Sequence, residues 1–122
     1  MIKSTPASEG YSMPAEWEPH EATWISWPHP DGTSFPSAYE RVLPVFVEMV
    51  KALVPSEIVR INVRDAAQEL EVRARLNDCH RVEFFHVRTN EPWCRDHGPI
   101  FLKRNENPRM LAVSFGFNAW GY

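Results

Sequence analysis

The sequence predicts a mixed α/β fold. Strand-length runs of β-branched and aromatic residues recur at 22–27, 57–63 and 82–87. Apolar residues at helical spacing occupy the stretches between them, and residues 100–115 read as a β-hairpin. The resulting order, β-α-β-α-β-β-β, is that of a mixed α/β sheet.

Residues 1–14 are small and polar, carry Gly10 and Pro14 and show no periodicity, so they are expected to form an extended arm, with order beginning near Trp17. Ala22 to Trp27 ends at Pro28-His-Pro-Asp-Gly32, a strand followed by a turn. Pro36 suits a first helical position, and Val42, Leu43, Phe46, Val47, Met49, Val50 and Leu53 then recur at helical spacing, predicting a helix over 37–53. Pro44 lies inside it and removes a backbone donor at a cost of roughly 3 kcal/mol, so a kink or two shorter helices are expected. Ile58, Val59, Ile61 and Val63 give a second strand, 57–63. Asp65 stands three residues before Gln68, the spacing of a capping box, and predicts a helix over 66–76 with Ala67, Leu70, Ala74 and Leu76 facing inward. Val82, Phe84, Phe85 and Val87 form a third strand. Arg88 to Gly98 has no period and reads as a loop; Ile100 to Lys103 and Met110 to Phe115 flank the turn Asn105-Glu-Asn-Pro108.

Composition narrows the functions open to the chain. Its 122 residues suffice for one domain with a modest core, and 43% hydrophobic with 24% charged content excludes a disordered tail, a collagen-like fibre or a coiled coil. Thirteen Lys and Arg against 16 Asp and Glu leave a net charge of −3, too little positive charge for a nucleic-acid partner. No apolar run reaches membrane-spanning length and the opening segment lacks the apolar core of a signal peptide, so no membrane association and a cytoplasmic location are expected. Cys79 and Cys94 form neither a disulfide framework nor a C-x-x-C pair and read as reduced thiols.

Three segments concentrate reactive chemistry. Thr89-Asn-Glu-Pro-Trp-Cys-Arg-Asp-His-Gly-Pro99 sets a ring, a thiol, a cation, a carboxylate and an imidazole on consecutive loop positions. It serves either a site or a structural purpose, in which Arg95 pairs with Asp96, Trp93 fills a core gap and Gly98-Pro99 turn the chain. Cys94 with His97 as base would be a thiol enzyme in miniature. In the second segment, residues 13–29, Trp17, Trp24 and Trp27 could wall a site for a cation or build an aromatic core strand. His20, Glu21 and His29 match no metal-site spacing, and His80 and His86 read as packed or solvated imidazoles. The third, Phe115-Gly-Phe-Asn-Ala-Trp-Gly121, is too rich in glycine and aromatics for a regular element; the chain reads as cut inside a site.

Together these segments resemble the agmatine deiminase and bacterial-type peptidylarginine deiminase family of the guanidino-group-modifying superfamily. The resemblance rests on M-P-A-E-W-x-P-H-x-A-T-W-x-x-W-P at 13–28, T-N-x-x-W-x-R-D-x-G-P at 89–99 and F-N-A-W-G at 117–121. It implies a five-bladed α/β propeller of the pentein type, of which this chain is about the first third, with residues 15–122 the N-terminal part of a single deiminase domain. The implied reaction is cofactor-free, metal-free hydrolysis of a guanidinium, agmatine giving N-carbamoylputrescine and ammonia, as in putrescine biosynthesis. Protein-bound arginine is the alternative substrate, and an inactive guanidinium-binding fragment the alternative function. The resemblance makes Asp96 the catalytic acid that holds the guanidinium, assigns substrate binding to Trp93, Arg95, Asn118 and Trp120, and places Cys94 at a variable position. The nucleophilic cysteine, the histidine and the remaining acids are expected beyond residue 122, and the full-length form is expected to be a homo-oligomer. Val82 and Phe84 are expected to lack packing partners in the 122 residues alone.

Overall fold

The computed structural model describes residues 4–121, so Met1 to Lys3 of the expected arm and Tyr122 at the other end lie outside the described residues. Two units emerge: residues 20–94, and the described residues 4–19 with 95–121.

In the 20–94 unit, β1 (Ala22–Ser26), β2 (Ile58–Val63) and β3 (Val82–His86) form a parallel sheet in the order β1-β2-β3. Ile25 lies opposite Ile61 and Ile61 opposite Phe84, so these alternate positions share one face, while Ser26, Asn62 and Phe85 share the other. The connections are α1 (Tyr39–Leu53) and α2 (Ala66–Arg75). The core joins Ile25, Trp27, Val59, Ile61 and Val63 to Leu43, Phe46 and Val50 of α1, Val72 of α2, and Leu76 just after it. Val82 and Phe84 pack against this cluster rather than lacking partners.

Trp24 and Trp27, three residues apart along an extended segment, point to opposite faces. Trp27 is 2% exposed and meets Phe46 edge-on at 5.7 Å, whereas Trp24 lies against Phe85 at 4.7 Å and under the Arg60 guanidinium at 5.7 Å. The cation above Trp24 therefore comes from the chain itself.

α1 is one uninterrupted helix, not two shorter ones, although Pro44 lies within it. The proline falls in the second turn, and the buried Leu43, Phe46 and Val50 bracket it. Each such burial contributes about 1.5–3 kcal/mol, enough together to offset the roughly 3 kcal/mol cost of the proline. Pro36 to Ala38 form a turn ahead of the helix, which begins two residues later than expected.

At α2 the cap is as expected. The Asp65 side chain accepts from the Gln68 N–H at 3.0 Å, and the Gln68 amide oxygen accepts from the Arg64 N–H at 2.7 Å. Leu76 is buried as expected, but Val72 is the residue buried with it, and Ala67, Leu70 and Ala74 are exposed. Gln68 also donates to the Pro28 carbonyl at 3.1 Å, while Val72 and Leu76 face the core.

In the other unit, β4 (Ile100–Lys103) and β5 (Met110–Val113) form the expected antiparallel hairpin. It is a sheet of its own, so the strands make two sheets rather than one mixed sheet. Within the expected arm, Ala7–Glu9 form a 3-10 turn, and Ser12 exchanges two 2.9 Å backbone hydrogen bonds with Lys103 at the hairpin edge. Arg104 organises the turn end: it donates to the carbonyls of Glu9, Glu106, Asn107 and Pro108 and lies 4.3 Å over the ring of the buried Tyr11.

Candidate active site

The loop at 88–99 runs on from β3, with Cys94–His97 forming a single helical turn. It carries Thr89 to Cys94 in the 20–94 unit and Arg95 onward in the other.

Glu91 is the most tightly held residue of the first part. Its side chain is buried, and its carboxylate accepts from the Thr33 N–H at 3.2 Å and from the hydroxyls of Thr33 and Ser34. Burial pushes the Glu91 carboxyl up, but the hydrogen bonds from Ser34 and Thr33 outweigh it and hold the pKa below its ordinary value. The Trp93 indole N–H donates to Ser34 Oγ at 2.8 Å, and the ring lies 6.1 Å from Phe35. Trp93 is 45% exposed, so it fills no core gap. Nothing in the sequence singled out Glu91, Thr33 or Ser34. The available signal was the parallel topology: the segments after β1 and β3 leave the same end of the sheet, where a Thr-Ser pair can meet a carboxylate.

Cys94 Sγ meets Ser26 Oγ at 3.1 Å, and the buried Asn62 amide donates to that hydroxyl at 3.2 Å. The thiol partner is thus a serine hydroxyl on the sheet. A serine hydroxyl is no general base, so this contact gives Cys94 no means of activation.

In the second unit, Asp96 and Trp120 come together: the indole N–H donates to Asp96 Oδ1 at 3.3 Å. Trp120 meets Phe117 edge-on at 5.2 Å, and Phe117 meets the His97 ring at 6.3 Å. The backbone bends for this contact. Ala119 and Trp120 are left-handed, with φ of 51° and 61°, and Gly121 follows at 97°. Left-handed non-glycine residues cost of order 1–3 kcal/mol each and gather at functional sites. Asn118 is exposed, and its carbonyl accepts from the Gly121 N–H at 3.0 Å. Arg95 is mostly exposed and pairs with Glu16 at 2.7 Å, so the expected local Arg95–Asp96 pair gives way to two other contacts.

The histidines considered as metal ligands have other partners. His20 bonds Glu57 at 2.7 Å, His29 accepts from Arg64 at 2.6 Å, and Glu21 pairs with Arg60. His86 bonds Glu69 at 2.7 Å. Among the described residues no cluster of three or more His, Cys, Asp or Glu could hold a metal ion, and no helix is long and apolar enough to cross a membrane.

The sequence model of the Porphyromonas-type peptidyl-arginine deiminases matches residues 12–122, a span that includes Trp93, Asp96 and Trp120. The chain belongs to that family. Agmatine deiminase of Pseudomonas aeruginosa (strain LESB58) is 37% identical over 119 residues, which cover 97% of this chain and 31% of that protein. Agmatine deiminase of Ectopseudomonas mendocina (strain ymp) is 36% identical over 121 residues, 98% of this chain and 32% of that protein. Among solved structures, a Cys-to-Ser variant of C. jejuni agmatine deiminase with substrate bound aligns with a TM-score of 0.77 at 31% identity, over 91% of this chain and 31% of its own. The chain spans about a third of the length of the relatives it matches. The mixed α/β fold is thus shared with a deiminase of known structure.

Proposed function

We propose that this chain is the N-terminal portion of a hydrolase that deiminates a guanidinium substrate, with agmatine giving N-carbamoylputrescine and ammonia. The observation that carries the reading is the Asp96–Trp120 pair, an exposed carboxylate held beside an exposed indole within the span that matches the family. A carboxylate accepts the N–H fork of a guanidinium through two parallel charge-assisted bonds, and an indole face attracts the same delocalised cation. Such a cradle orients the substrate and favours localised over delocalised charge in the guanidinium.

In this reading Asp96 holds the guanidinium nitrogens, and Trp93, Arg95, Asn118 and Trp120 shape its surroundings. The bond-breaking cysteine, its histidine and the remaining acids belong to the later part of such an enzyme. The reaction needs no cofactor. Residues 15–122 are the first part of a single deiminase domain, about a third of a five-bladed α/β propeller, in a cytoplasmic homo-oligomer.

Replacing Asp96 by Asn in the full-length protein is expected to lower kcat/KM for agmatine by several orders of magnitude, read as ammonia release. An unchanged value would remove Asp96 from the site. Protein-bound arginine is the second reading, favoured by the peptidyl-arginine description of the matching family. Comparing kcat/KM for agmatine and for an arginine-containing peptide decides between them.

A further inference from the structure

We propose that Ser34 and Glu91 are positioning residues for Trp93, through a one-way hydrogen-bond relay that fixes the indole orientation where it walls the guanidinium. The proposal rests on the guanidinium reading above and extends it to residues that touch no substrate.

The direction of the relay follows from donor and acceptor chemistry. An ionised carboxylate only accepts hydrogen bonds, so the Ser34 proton is committed to Glu91 and the Ser34 lone pairs are left to accept from Trp93 Nε1–H. Glu91 is in turn anchored to the turn by the Thr33 hydroxyl and backbone N–H. The bonds holding Glu91 also keep it in the acceptor form. The ring itself is weakly constrained. Trp93 is 45% exposed and meets Phe35 in a tilted arrangement at 6.1 Å, so packing holds it only in part and the 2.8 Å bond to Ser34 supplies a directional restraint. A purely structural anchor would need only Glu91 and Thr33. Placing the Ser34 hydroxyl between the buried carboxylate and the indole ties a loop anchor to one particular side chain.

The test is a double-mutant cycle in the full-length protein with agmatine as substrate. Losing one hydrogen bond to an otherwise exposed ring corresponds to about fivefold in affinity. Ser34→Ala is therefore expected to raise KM about fivefold with kcat nearly unchanged. Ser34→Thr, which keeps the hydroxyl, is expected to restore KM. In a Trp93→Phe background, where no indole N–H remains, Ser34→Ala is expected to have no further effect. Equal effects of Ser34→Ala in the two backgrounds would overturn the proposal, because the serine would then act on the loop and not through Trp93.

A second readout needs no substrate. The Trp93 contribution to fluorescence, taken as the difference from Trp93→Phe, is expected to shift on Ser34→Ala and to be unchanged on Ser34→Thr. An unshifted emission would overturn the relay itself. A shifted emission in a protein that turns over no guanidinium would keep the relay, and would overturn both the deiminase reading and the claim that the relay tunes substrate binding.

Discussion

Glu91→Gln tests the anchor beneath the loop. Ionised Glu91 accepts three hydrogen bonds, two from Thr33 at one oxygen and one from Ser34 at the other. Glutamine in the same place keeps a neutral acceptor for the Thr33 pair and turns its amide N–H toward Ser34 Oγ, so the third bond reverses and the serine becomes the acceptor. Hydrogen bonds to a charged group contribute about 1.5–3 kcal/mol each and neutral ones about 1 kcal/mol. The substitution thus replaces three charge-assisted bonds by neutral ones, a loss of about 0.5–2 kcal/mol each and about 1.5–6 kcal/mol together at neutral pH. With a urea dependence of about 2 kcal/mol/M, the unfolding midpoint should fall by about 1–3 M.

The pH dependence provides an internal control. Because the folded protein holds the Glu91 pKa below its ordinary value, the stabilisation is fully present above the usual carboxylate range. It is lost as pH falls through and below that range, where folding must compete with protonation. The gap between native protein and variant should be constant from about pH 8 to 6 and should close between about pH 5 and 3. Urea titrations followed by far-ultraviolet circular dichroism at these pH values measure it. A variant as stable as the native protein at pH 7, or a gap that persists unchanged at pH 3, would refute the reasoning.

Other consequences follow from the packing and from the thiol. Leu76→Ala is expected to cost about 3 kcal/mol in urea unfolding because Leu76 is 4% exposed in the core, whereas Leu70→Ala, at 70% exposed, should cost less than about 0.5 kcal/mol. Equal costs at the two positions would restore the inner face expected from sequence. Cys94→Ala should leave agmatine turnover within about threefold, and Cys94 should label with a thiol reagent at neutral pH no faster than an ordinary cysteine, since its partner is Ser26 and not a base. Abolished turnover would make it a nucleophile. Trp120→Phe keeps a ring but loses the N–H bound to Asp96, and is expected to lower kcat/KM about tenfold; no change would detach Trp120 from the site.

Periodicity and punctuation located β1, β2, β3, α1 and α2 to within about two residues, whereas the helical turn Cys94–His97 falls in a segment read as loop. Strand and helix existence depends on local chemistry: β-branched runs, the Asp65–Gln68 cap, the prolines at 36 and 55. Facing was harder. Ala67, Leu70 and Ala74 suit a helical stripe as well as Val72 and Leu76 do, and the choice is made by packing against residues of β1, β2 and α1 far away in sequence. The separation of the strands into two sheets is likewise a matter of which strands pair, β1-β2-β3 in one and β4-β5 in the other. At the site, the aromatic and acidic residues were legible as motif positions, and Asp96 and Trp120 do meet. Glu91, Thr33 and Ser34 were invisible because single polar residues in two loops acquire meaning only when the parallel sheet brings those loops to one end. The left-handed backbone at Ala119 and Trp120 gave no sign either, since neither residue type favours it.

The central claim is that Asp96 cradles a guanidinium, and ammonia release from agmatine by the full-length protein, native against Asp96→Asn, tests it most directly. The account predicts steady release by the native protein and a loss of several orders of magnitude in kcat/KM in the variant, with the variant still folded by circular dichroism. Equal release by both proteins, or none by the native protein from agmatine or peptidyl arginine, would contradict it.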